Sequence, residues 1–165
     1  MLRSALTLCV SLVAASPLAA AQAIVHVDAT HLVDPRPLNE QTQNAAIRDY
    51  LQSWQTLGTA LAQNRADLLG DDFVGTAKEK LAKTIQDQAA LGISTRYMDA
   101  SHQIQLLFYS PEGLSIELAD TASYDLQVFD HGELLTSGPQ QRRYIVVLTP
   151  SEVRWTVRIF QADPD

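Results

Sequence analysis

The period of the apolar residues changes at Gly92, and that change limits the possible folds more than any other feature of the chain. Before it, Ile47, Tyr50, Leu51, Trp54, Leu57 and Leu61 recur in steps of three and four, which marks one buried stripe and predicts a helix over 42–63. Leu68, Leu69 and Phe73 form a short second element broken by Gly70-Asp71-Asp72. Phe73, Ala77, Leu81, Ile85 and Gln88 predict another helix that ends near Gly92, with Lys78, Glu79, Lys83 and Asp87 on its solvated face. After Gly92 the period is two: 102–106, 116–118, 124–128, 144–148 and 153–160 read as strands, with turns at 110–113, 130–132 and 149–152. A helical block followed by an antiparallel meander is an α+β arrangement, with N-terminal helices packed on a curved antiparallel sheet.

Residues 1–23 carry Arg3, an apolar run over 5–15 and small residues in an A-x-A pattern near 21–23. The run is far short of the ~20 apolar residues of a membrane span, so it predicts a secretory signal, export to a periplasm or to the medium, and no span. The chain left after cleavage would begin at Gln22 or Ile24. The sole cysteine, Cys9, lies inside the run, so no disulfide is expected and stability rests on an ordinary core. What remains, roughly 140 residues, suits one domain. Residues 24–41 read as an extended arm containing Asp34-Pro35-Arg36-Pro37, residues 42–162 as the folded domain and 163–165 as a tail. A net charge of −7 argues against nucleic acid as a partner. His26, Asp28 and His31 could touch a metal but lack a further ligand at fixed spacing, and no phosphate loop, G-x-S-x-G or H-E-x-x-H is present, so no metal or cofactor is expected.

Trp54 in a long first helix, the element RADLLGDDFVG and the closing strands YIVVLTPSEVRWTVRIF, with an aromatic early in the last, resemble the nuclear transport factor two-like superfamily over 42–160. The resemblance implies a cone-shaped α+β fold, also used by ketosteroid isomerases and polyketide cyclases, often with a pocket at the open end and dimerisation through the outer sheet face. It implies no particular activity, because one fold hosts many.

Pairing phase decides which side chains face the helices. A three-residue loop, Pro111-Glu112-Gly113, sets Phe108 opposite Ile116, Leu106 opposite Leu118, Ile104 opposite Asp120 and His102 opposite Ala122. His102, Asp120 and Tyr124 then share the inner face, with His102 diagonal to Asp120. They form the candidate catalytic group: a carboxylate, an imidazole titrating near neutrality and a phenol able to donate to an oxyanion. A bulge in ADTAS would turn Asp120 outward.

In the last hairpin a four-residue loop over 149–152 pairs Val146 with Trp155, Tyr144 with Val157 and Arg143 with Arg158. Arg143, Arg154 and Arg158 then form an outer basic ladder, read either as a salt-bridge network with Glu117 and Asp125 or as an anion or partner site. Ile145, Val147, Leu107 and Tyr109 on that outer face call for a cover, supplied by the arm through Val25, Val27, Leu32 and Val33 or by a second copy of the chain. The function expected is non-catalytic binding of a small apolar ligand or a protein partner. The alternatives are an isomerase, cyclase or dehydratase using the inner trio, and a structural homodimerisation domain.

Overall fold

The computed structural model describes residues 24–28 and 37–163. The order is β1 (Ile24–Val27), α1 (Glu40–Gln63), a 3-10 turn (Ala66–Leu69), α2 (Gly75–Ala90), then β2 (Ile93–Tyr109), β3 (Ile116–Asp130), β4 (Glu133–Pro150) and β5 (Trp155–Ala162). Each strand pairs with its chain neighbours, in the order β1-β2-β3-β4-β5. The arrangement is α+β as the period change implies, and the sheet is mixed because β1 runs parallel to β2.

Helix α1 starts two residues earlier than the expected residue 42, because the Asn39 side chain accepts from the Thr42 amide at 2.8 Å. It ends at Asn64, whose φ of 54° closes the helix, and the Asn64 amide group donates to the Ile93 carbonyl at the start of β2. Tyr50, Trp54, Leu57 and Leu61 point into one core with Ile85 of α2 and Leu106, Leu118, Val146 and Val157 of the sheet. No helix among the described residues is long and apolar enough to cross a membrane.

The β2–β3 register holds where it matters most: Leu106 pairs with Leu118, Ile104 with Asp120 and His102 with Ala122. Its end does not. A register shift between Leu106 and Phe108 sets Phe108 opposite Glu117, and the loop closes as a wider turn, with the Ser110 hydroxyl accepting from the Leu114 and Ser115 amides at 2.9 and 3.1 Å. Tyr109 therefore turns into the core and Phe108 shares the outer row with Glu117, the reverse of the expectation.

The last hairpin departs further. Pro150 pairs with Trp155, Leu148 with Val157, Val147 with Ile159 and Val146 with Phe160. The shift falls at Arg158, so Phe160 packs on the core and Ile159 is exposed. The cause lies outside the hairpin. Val157 donates its amide to the Asp72 carbonyl and accepts from the Val74 amide, both at 2.9 Å, which pins β5 to the segment before α2. Arg143 and Arg158 are consequently not opposite one another.

The arm also differs from expectation. Residues 24–27 add an edge strand to β2, and Val25 and Val27 pack on the core, not on the outer sheet face. Leu32, Val33 and His31 lie outside the described residues.

Candidate functional site

Asp120 sits in the middle of β3, fully buried under α1. Its Oδ2 accepts from the Tyr50 hydroxyl at 2.6 Å and meets His102 Nδ1 at 2.7 Å, while Oδ1 is buried without a hydrogen-bond partner. Burying a carboxyl this way is costly unless donors converge on it, and here two do, one from the helix and one from the neighbouring strand. The strand pairing brings His102 beside Asp120, as predicted. Tyr50 was legible only as a member of the helical stripe, since periodicity gives a face and not the partner of a hydroxyl 70 residues away. Burial and the adjacent Asp120 hold the Tyr50 phenol well above its ordinary range.

Tyr124 does not join this pair. Its hydroxyl lies 3.1 Å from that of Tyr144, and its ring is 4.7 Å from Tyr97. Trp54 links the two groups: its indole is edge-on to His102 at 5.0 Å, stacked on Tyr97 at 5.6 Å, and within 6.0 Å of Tyr124, Tyr144 and Phe160. Desolvation pushes Tyr97 up to about 12 and raises Tyr144 further, so both phenols are protonated at neutral pH.

A pocket of about 710 Å³ opens between α1 and the first half of β2. Trp54, Gln55, Gly58, Thr59 and Ala62 form most of its helical wall, and Tyr97, Ala100 and His102 part of its strand wall. A register shift between Met98 and Ser101, with Asp99 at a φ of 52°, bends β2 along this wall. His102 thus lines the pocket with Asp120 behind it.

Two solved structures share this layout of helices laid across one face of a long-stranded sheet. The intermembrane-space region of the chloroplast protein ARC6 superposes with a TM-score of 0.60 at 13% identity, covering 79% of this chain and 100% of its own. A candidate scytalone dehydratase from Novosphingobium aromaticivorans gives 0.54 at 12% identity, covering 76% and 89%. The fold is the nuclear transport factor two-like cone. At such identities the likeness carries the fold alone. No protein-family model and no curated protein matches the chain.

The cone does not gather the three arginines. Arg143 lies opposite Thr121 and pairs with Asp163 at 3.5 Å. Arg154 pairs with Asp72, whose other oxygen accepts from Thr56 at 2.6 Å. Arg158 stands at the β5 bulge near Gly75. What was read as one ladder is three separate positions, and the pairs of Arg154 with Asp72 and Arg143 with Asp163 fasten the two ends of β5.

Proposed function

We propose that the pocket between α1 and β2 binds a small, neutral, largely apolar molecule carrying one hydrogen-bonding group, with His102 as its polar anchor. The observation that carries this reading is that His102, its side chain only 1% exposed, is among the residues that line the pocket, while its Nδ1 lies 2.7 Å from a carboxyl closed off behind it. That fixes the ring and leaves Nε2 for a ligand. The half-buried Leu51 and Tyr97 supply apolar area, worth ~25 cal/mol per Å² removed from water, and the pocket's one arginine and one aspartate, Arg96 and Asp99, favour an uncharged guest. The test is an amide-shift titration with 2-tetralone, a flat bicyclic ketone. Shifts should cluster at Thr59, Ala62, Ala100 and His102, and His102→Ala should weaken binding about ten-fold, the worth of one good hydrogen bond. Shifts centred on Val147 and Ile159 of the outer sheet face would reject the pocket.

The Asp120–His102 pair favours a second reading, proton transfer on the bound molecule. Nε2 would take a proton from the carbon beside a carbonyl, and Asp120 would stabilise the resulting imidazolium. Deuterium incorporation beside the 2-tetralone carbonyl should then run faster with the wild-type protein than with His102→Ala. Equal rates would leave binding alone.

Both readings take residues 1–23 as a secretory signal, so that the cone works after export. We also propose that a second copy covers the outer sheet face, because the part of the arm expected there lies on the inner side and Ile145, Val147 and Ile159 are left in one outer patch.

A further inference from the structure

Gly58 lies inside α1, in the last third of the helix, where glycine is a poor choice: it weakens a helix interior relative to alanine. Packing does not demand it. A Cβ built on Gly58 would meet nothing within 4 Å, so no strand or neighbouring side chain needs the close approach that usually justifies a helical glycine. The position faces the pocket. Trp54, Gly58 and Ala62 follow one another at steps of four, so one row of the helical wall runs from an indole, through bare backbone, to a single methyl, with about 5.4 Å between turns and with Gln55 and Thr59 in the row beside it. His102 lies edge-on to that indole at 5.0 Å, at the Trp54 end of the wall.

We propose that Gly58 is the specificity-determining residue of the pocket, and that its ligands are neutral ring compounds bearing one oxygen, a cyclic ketone or alcohol, in preference to straight chains. This rests on the binding reading above. The bare backbone at Gly58 gives a flat step on which a rigid plate can lie beside Trp54 while its oxygen reaches His102. A side chain there would obstruct a plate, which cannot bend, more than a chain, which can pass round it. The lining cation does not oppose a neutral guest, because the Arg96 guanidinium is already engaged 4.3 Å over the Phe129 ring.

The experiment compares 2-tetralone with the flexible ketone 2-octanone by calorimetric and amide-shift titration, on the wild-type protein and on Gly58→Leu, a substitution that favours the helix. The wild type should bind the ring about five-fold or more tightly than the chain. Gly58→Leu should lose about ten-fold or more for 2-tetralone and about two-fold or less for 2-octanone, with helical content and melting temperature not lowered. Equal losses for both ketones, or no loss for either, overturn the role of Gly58. If both ketones still shift His102 in that case, the binding reading survives. If neither ketone binds the wild-type protein, the binding reading falls and this inference falls with it.

Discussion

At the scale of single residues, Asp120 sets the chemistry of the interior and Tyr50 sets Asp120. Tyr50→Phe removes the donor at 2.6 Å and leaves the carboxyl with His102 alone, so stability to urea should drop by about 1–3 kcal/mol. Gly58→Ala should act in the opposite direction. With nothing near the added methyl, it should raise stability by about 1 kcal/mol and the melting temperature by about 3 °C. Tyrosines make a third case. Tyr50, Tyr97 and Tyr144 all have raised values, so in the unfolded chain they ionise near pH 10 while the folded protein still holds them protonated. Their contribution to stability is complete below pH 10 and is lost as pH climbs towards the folded values, about 12 for Tyr97. Phenolate absorbance of these three should therefore appear together with unfolding, and a smooth independent titration near pH 10 would contradict their burial. His102 and Asp120 could be placed from the sequence because strand parity alone puts a residue on one face. Tyr50 could not, because its partner depends on how α1 lies across the sheet.

At the scale of elements, the helices and the inner half of β2–β3 were legible because their patterns are long and each is satisfied by its own neighbours. The ends of the hairpins were not. The run VRWTVRIF alternates without a break, yet β5 bulges at Arg158, because Val157 is tied on its other edge to Asp72 and Val74, residues more than 80 positions earlier. A pattern within one strand carries no record of that second partner. The contact that replaces the expected ladder is testable. Arg154→Ala leaves the buried Asp72 with Thr56 as its side-chain donor, and should cost about 1–2 kcal/mol, whereas Arg158→Ala, on an exposed side chain, should change stability by less than about 0.5 kcal/mol. Equal effects in urea denaturation would restore the uninterrupted register. The misplacement of Tyr109 has the same origin, since one extra residue at Leu107 reverses every side chain after it.

At the scale of the molecule, the outer sheet face is where self-association should show. Ile145, Val147 and Ile159 lie in adjacent rows, and burying them against a second copy would contribute more than exposed ion pairs at the rim. Val147→Glu should convert a dimer to a monomer in sedimentation velocity while leaving the pocket able to bind 2-tetralone; a wild-type protein that sediments as a monomer at high concentration would remove this proposal. Trp54 has a consequence of its own. Its indole is almost sealed from water, and it touches both His102, the proposed anchor, and Tyr97 of the pocket wall. Its emission should therefore sense the arrival of a visitor directly, so the chain would carry an optical gauge of its own occupancy that needs no label.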